Sequence, residues 1–308
     1  MNKATFEQAQ SAYEAQDFAS ALDLYNNMIT DQSFPLSPGE FGLVYHQIGN
    51  CYVKLGNYSD AISAYMNATT DQSYISLGTV FYNLGMAYAY MNDFGNAISN
   101  FKIAIDHPNY RSKFKAYTAM GNALMKSGKS ADAASAFRNA AMDNHNPNPT
   151  RALLNLGVCF MALSRPEDAI TVYLSAFQYS MDSNFRNRLN ANLGQAYVAC
   201  GQMQKAVDAF EDSLRDKTYK LSESASVDYQ RAIGAISKGA EEVDINAAGP
   251  TAAAAAGMAM GVAAMPGQAN AEGLQNGEGS FQGADPMQQQ ASSSGFASAQ
   301  EQDEQFAK

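Results

Sequence analysis

The 308-residue sequence contains no tryptophan, three cysteines and three histidines, and only 16% of its residues are charged. Cys51, Cys159 and Cys200 have neither paired nor metal-type spacing, so we expect reduced, structural thiols. The histidines are scattered, and no Gly-rich phosphate loop, nucleophile motif or paired-carboxylate pattern occurs. These absences argue against an enzyme, and we predict no catalytic residue, no metal and no cofactor.

The net charge of −10 is unevenly distributed along the chain. Residues 241–308 contain nine acidic residues and one basic residue, so the first 240 residues are close to neutral. A nucleic-acid binder would need a basic footprint, which is missing. The N-terminus has no apolar signal core, and the apolar run near 252–265 is too short to span a bilayer comfortably. We predict a cytoplasmic protein with no nucleic-acid partner and no membrane insertion by this chain.

A four-residue skeleton recurs along the chain with a period of 36 or 37 residues. Each copy has a small residue, an aromatic or large apolar residue three positions later, an Ala at twelve and an aromatic at sixteen, as in Gly85, Tyr88, Ala97 and Phe101. The small residues of the five regular copies are Gly49, Gly85, Gly121, Gly157 and Gly194. Periods of this size are typical of stacked supersecondary units.

Each copy is predicted to form two helices, such as 77–91 and 94–105 in the Gly85 unit, because apolar residues recur at helical spacing. Glycine suits a helix end in the left-handed conformation. We expect the glycine inside the first helix to let the second helix cross closely, with Ala97 or its equivalent in the facing site. The second aromatic is then expected to pack on the following unit. The turns between the two helices are predicted at Gly56-Asn57, Asn92-Asp93, Gly128-Lys129, Ser164-Arg165 and Gly201-Gln202.

These residues resemble the tetratricopeptide repeat (TPR) family over about residues 4–216. The resemblance includes the Ala and both aromatic positions, together with the pairs Ile48-Gly49, Leu84-Gly85, Met120-Gly121, Leu156-Gly157 and Leu193-Gly194. It implies an all-α fold, a right-handed superhelical solenoid of about six helix-turn-helix units. Two departures are the longer period, since the family usually has 34 residues, and the missing tryptophan of the first helix.

The predicted solenoid domain covers residues 1–239 and ends in a capping helix at 220–238. In that helix Val227, Ala232, Ile233 and Ile236 are predicted to form one apolar stripe, with Asp228 facing water. Residues 240–308 are of low complexity and are predicted to be a disordered acidic tail. The predicted units are 2–35, 42–77, 78–113, 114–149, 150–186 and 187–219.

Repeat arrays of this family bind peptides in a concave groove lined by the first helices. The asparagines at the matching positions can both donate to and accept from a peptide backbone, and the charged residues there are basic. Together these residues indicate an extended, acidic peptide or a free carboxylate as the ligand. The implied groove residues are His46, Asn50, Lys54, Tyr82, Asn83, Tyr90, Lys115, Asn122, Lys126, Arg151, Asn155, Arg188 and Asn192.

Some family members hold a C-terminal carboxylate with five groove residues. The matching positions here are His46, Asn50, Asn83, Lys115 and Ala119, of which three agree with that set. This incomplete match weakens the case for carboxylate-clamp chaperone binding but not for peptide binding in general.

The leading hypothesis is a protein–protein interaction scaffold or adaptor whose partner is another protein or peptide. One alternative is a structural oligomerisation or tethering module, which could be the cytoplasmic region of a longer protein. Another is a co-chaperone-like adaptor in which the tail 240–308 binds intramolecularly as an autoinhibitor. Asn and Lys are also ordinary solvated helix residues, so the polar face is consistent with solvation alone.

Overall fold

The computed structural model of the chain describes residues 1–237, and the tail predicted to be disordered lies outside them. Within this range the chain forms thirteen helices and no strand, which confirms the all-α fold of repeated helix pairs. The helices are α1 Lys3–Glu14, α2 Phe18–Thr30, α3 Glu40–Lys54, α4 Tyr58–Thr69, α5 Leu77–Tyr90, α6 Phe94–Asp106, α7 Lys113–Lys126, α8 Ser130–Met142, α9 Thr150–Ala162, α10 Pro166–Ala176, α11 Ser183–Ala199, α12 Met203–Leu214 and α13 Glu223–Ser237.

The helices belong to two compact units. The first comprises residues 1–127 and 143–145, and the second comprises residues 128–142 and those from 146 onward. Within each unit every helix packs on its neighbours in chain order, and the first helices of successive repeats also touch: α3 with α5, α5 with α7, and α9 with α11. The predicted repeat boundaries and the single domain 1–239 stay predictions.

The five turns predicted inside the repeats are confirmed. The first residue of each turn has a positive φ, namely 78° at Gly56, 60° at Asn92, 73° at Gly128, 57° at Ser164 and 73° at Gly201. This left-handed conformation ends the first helix and reverses the chain. The second helix then begins at once.

The glycine of the repeat faces the aromatic ring of the second helix. A Cβ added at Gly49, Gly85, Gly157 or Gly194 would lie less than 3 Å from the ring of the aromatic sixteen residues later in the same repeat. Ala97 also faces Gly85, as expected, because its carbonyl oxygen would lie 3.1 Å from the added Cβ, but the ring comes closer. Phe101 lies one helical turn after Ala97 on α6, and its ring packs on Gly85 where α5 and α6 cross. Ala97 is also buried.

A residue after α4 caps the start of α3. Gly39, at the N-cap of α3, has no side chain to accept a hydrogen bond. Instead the Asp71 carboxylate accepts the backbone N–H of Gly39 at 2.7 Å and that of Gly42 at 2.9 Å. A carboxylate at this end of a helix satisfies orphan donors and interacts favourably with the helix dipole. Asp71 thereby fixes the connection between α4 and α5 against α3.

The last described helix, α13, buries a different face from the one predicted. Asp228 and Ala232 are buried, whereas Val227, Ile233 and Ile236 are 63%, 37% and 38% exposed. The prediction of an apolar stripe was wrong because α13 turns its small side chains towards α11 and α12, and Asp228 has a hydrogen-bond partner in α11. Among residues 1–237 no helix has the length and apolar character needed to cross a membrane.

Candidate peptide-binding surface

All thirteen residues implied as groove residues lie on first helices of repeats. Nine lie in the first compact unit, on α3, α5 and α7, and four lie in the second, on α9 and α11. Four of the nine are buried, and the other residues of the set are partly or well exposed. The buried residues are His46, Asn50, Tyr82 and Asn83.

Three of these buried residues hydrogen bond to one another inside the first unit. The Asn83 amide nitrogen lies 2.9 Å from His46 Nε2 and 3.2 Å from Asn50 Oδ1. Tyr65 donates its hydroxyl to the same Asn50 oxygen at 2.8 Å, and the Tyr74 hydroxyl lies 2.9 Å from His46 Nδ1. The network joins α3, α4, α5 and the segment before α5. It therefore holds two successive repeats in register.

The network fixes the chemical state of His46. Burial lowers the pKa of His46 from 6.5 to about 4, so the ring is neutral at pH 7. Because the Asn83 amide donates to Nε2, the single ring proton sits on Nδ1 and is donated to the Tyr74 hydroxyl. A neutral, enclosed imidazole of this kind is a structural group.

The positions of His46, Asn50 and Asn83 do not support direct contact with a ligand, because each is at most 5% exposed and bonded within the network. Tyr82 is likewise enclosed, since its ring stacks on Tyr110 with a centroid distance of 6.0 Å. Tyr74, which the sequence reasoning missed, bonds to this network from outside the regular helices. The sequence feature that could have indicated this contact is Gly42, seven residues before Gly49. A Cβ added at Gly42 would lie 2.6 Å from the Tyr74 side chain.

A second buried polar contact lies at the corresponding place in the second unit. Gln195 of α11 donates to the Asp228 carboxylate of α13 at 3.2 Å, and both side chains are buried. The two residues are 33 positions apart, as are Asn50 and Asn83. Burial raises the pKa of Asp228, and the hydrogen bond from Gln195 opposes that rise. Polar pairs thus join neighbouring first helices in both units.

Charge is segregated between the two helices of the repeats. The first helices α3, α5, α7, α9 and α11 carry seven basic residues and one acidic residue, Glu40. The Glu40 carboxylate lies 2.8 Å from the N-terminal ammonium group. The second helices α4, α6, α8, α10 and α12 carry three basic and eight acidic residues. The basic residues of the first helices are Lys54, Lys113, Lys115, Lys126, Arg151, Arg186 and Arg188.

In the first unit one cation of the first helices lies over an aromatic ring. The Lys126 ammonium group lies 5.7 Å from the centroid of the Phe94 ring. Tyr90 stacks on Tyr58 with a centroid distance of 4.8 Å. Lys115 is half-buried, burial lowers its pKa, and within residues 1–237 its ammonium group has no ion pair or hydrogen bond. An anion at Lys115 would restore interactions that burial removes from the ammonium group.

In the second unit two arginines lie on adjacent first helices. Arg151 is on α9 and Arg188 on α11, and both are half-buried. The Arg188 guanidinium lies 5.1 Å from the centroid of the Phe185 ring, a favourable cation–π distance. Asn155 and Asn192 follow on the same helices and are also half-buried. Guanidinium and amide groups therefore lie on the same two helices.

The thiols offer no comparable chemistry. Burial raises the pKa of Cys51, Cys159 and Cys200 to about 12, so each stays protonated at pH 7 and is a poor nucleophile. In the described part of the chain, no group of three or more His, Cys, Asp or Glu side chains could hold a metal ion.

Comparisons with known proteins agree with this architecture. Models of the tetratricopeptide repeat match residues 43–70, 78–106, 118–180 and 189–223, together about half of the chain. No relative was found among curated proteins.

Three solved structures illustrate the similarity. One is MamA, at 22% identity and a TM-score of 0.51, covering 60% of this chain and 98% of MamA. Another is YrrB, described as a TPR protein with an unusual peptide-binding site, at 17% identity and a TM-score of 0.51, covering 69% of this chain and 97% of YrrB. A third is PilF of Pseudomonas aeruginosa, at 13% identity and a TM-score of 0.54, covering 75% of this chain and 96% of PilF. At these identities the similarity shows the fold.

Proposed function

Because this chain belongs to the tetratricopeptide repeat family, we propose that it is a protein–protein interaction scaffold whose first helices bind an extended, acidic segment of a partner protein. Helix-pair arrays present extended surfaces of stacked first helices for binding. The peptide-binding site attributed to YrrB is consistent with a peptide ligand.

The segregation of charge carries the proposal. Seven of the eight charged residues on the first helices of repeats two to six are basic, although the first 240 residues as a whole are nearly neutral. Random placement of solvated charges would mix the signs on both helices. A surface of one sign attracts a ligand of the other sign and repels ligands of its own sign. An acidic peptide is therefore favoured over a basic one.

The ligand-contacting residues proposed here are the partly or well exposed members of the predicted set. His46, Asn50 and Asn83 are given a supporting role, in which their network positions α3 relative to α5. In the first unit the proposed contacts are Lys54, Tyr90, Lys115, Asn122 and Lys126. In the second unit, taken by itself, they are Arg151, Asn155, Arg188 and Asn192.

Lys115→Gln tests the proposal in the first unit. The full chain is titrated with an acidic and a basic peptide of equal length, using fluorescence anisotropy. We expect the acidic peptide to bind and Lys115→Gln to weaken its binding by about fivefold, because a carboxylate of the peptide loses the half-buried ammonium group that pairs with it. Lys102→Gln is the matched control, since Lys102 is exposed on the second helix α6. Equal losses in both variants, or equal binding of the two peptides, would contradict the proposal.

The acidic tail is a second candidate ligand for the same cations. Residues 241–308 carry nine acidic residues and one basic residue, the charge that the first helices would attract. We expect deletion of 240–308 to raise the affinity for the acidic peptide by about threefold or more, since an intramolecular competitor is removed. The same anisotropy titration measures it. An unchanged affinity would rule out self-inhibition and leave the scaffold proposal standing.

A further inference from the structure

Arg151 and Arg188 occupy the same position in successive repeats. Each lies six residues before the glycine of its repeat, Gly157 on α9 and Gly194 on α11. Both glycines pack against the ring of their own second helix, so the two first helices are held in the same way. Because α9 and α11 are also in contact, equivalent positions on them are neighbours.

A hydrogen bond fixes the spacing between the beginnings of these two helices. The Asn148 amide, two residues before α9, donates to the backbone carbonyl of Ser180 at 3.0 Å. Ser180 lies three residues before α11. The segments that lead into α9 and α11 are thereby tied together. Arg151 and Arg188 lie near the beginnings of the two helices, soon after the hydrogen-bonded residues Asn148 and Ser180.

The two guanidinium groups are close enough to interact electrostatically. Burial and then the charge of Arg151 lower the pKa of Arg188, while Tyr219 and Asp182 act in the opposite direction. Like charges on neighbouring helices repel each other, and a polyvalent anion between them would offset that repulsion. The Phe185 ring, 5.1 Å from the Arg188 guanidinium, restricts where that group can lie.

We propose that Arg151 and Arg188 form a binding site for the phosphoryl group of a phosphorylated serine or threonine in the partner peptide. One carboxylate occupies a single guanidinium fork, whereas a phosphoryl group brings three terminal oxygens and a charge near −2, enough for two forks. This site rests on the proposed function and specifies its ligand in the second unit.

Three peptides that differ at one residue test the site on the full chain. They carry phosphoserine, glutamate or serine at the centre of one acidic sequence. We expect phosphoserine to bind at least about tenfold more tightly than glutamate, and Arg188→Gln and Arg151→Gln each to abolish that preference. Arg186→Gln is the matched control, because Arg186 is exposed on the same helix with its guanidinium 5.8 Å from the Phe177 ring. It should keep the preference.

A second measurement separates this site from the scaffold proposal. Inorganic phosphate is titrated into the full chain while the arginine side-chain N–H resonances are followed by NMR. Saturable shifts at Arg151 and Arg188, but not at Arg186, support the site even if none of the peptides binds. Peptide binding without a phosphoserine preference overturns the site and leaves the scaffold intact. Shifts spread equally over all three arginines, or none at the pair, also overturn it.

Discussion

Gly85→Ala is expected to lower the free energy of unfolding by about 2 kcal/mol, although alanine is the better helix former. The added Cβ would lie 2.7 Å from the Phe101 ring and 3.1 Å from the backbone carbonyl oxygen of Ala97. Phe101 is fully buried and the oxygen belongs to a helix backbone, so neither can move away easily. An overpacking cost of about 3 kcal/mol exceeds the helix-propensity gain of about 1 kcal/mol.

Gly95→Ala provides the matched control within the same helix pair. Gly95 is exposed on α6, and its added Cβ would meet nothing closer than an Asp93 oxygen at 3.7 Å. This change should therefore stabilise the chain by up to about 1 kcal/mol. Urea denaturation followed by circular dichroism gives both midpoints relative to the wild type. Shifts of the same sign in the two variants would show that the glycine–ring contact does not constrain Gly85.

Acidification is expected to remove about 3 kcal/mol of stability through His46 alone. The pKa of His46 is about 4 in the folded chain, against 6.5 for the exposed side chain. The unfolded chain therefore takes up the proton first as the pH falls. The contribution of His46 is fully present above about pH 6.5 and is lost progressively as the pH falls to about 4, at about 1.4 kcal/mol per unit of pKa.

His46→Gln isolates this effect, because glutamine keeps a polar side chain and does not titrate. Urea unfolding of both proteins at several pH values between 7 and 4 gives the difference in their stabilities. Most carboxyl groups titrate in both proteins and cancel in that difference. We expect the advantage of the wild type to shrink by about 3 kcal/mol over this range. Parallel curves for the two proteins would mean that His46 titrates normally in the folded chain.

The repeat architecture could be predicted because it depends on local and recurrent signals. The turn at Asn92 follows from the end of one apolar periodicity and the start of the next, and its positive φ of 60° agrees. Small residues at a fixed spacing likewise predicted that two helices cross closely. Identifying the partner of Gly85 requires the direction of the Phe101 side chain, which the spacing alone does not contain.

The candidate site was predicted less well because a repeat position does not determine burial. His46 and Asn83 occupy positions that face ligands in the resemblance, yet Tyr74 joins their hydrogen-bond network and both are enclosed. Tyr74 lies between repeats, where the skeleton specifies nothing. On α13, Val227 looked apolar enough for a core but is exposed, since no second helix follows it in the described chain.

The division of charge between first and second helices has a kinetic consequence. Summed over repeats two to six, the first helices carry a net positive charge and the second helices a net negative charge, so we expect a diffusing acidic segment to be turned towards the first helices before any contact forms. Such steering acts on the rate of encounter and fades once the Debye length falls below about 10 Å, near 0.1 M salt. By contrast, we expect the lifetime of a complex to depend on short-range contacts of half-buried groups such as Lys115 and to be much less sensitive to salt.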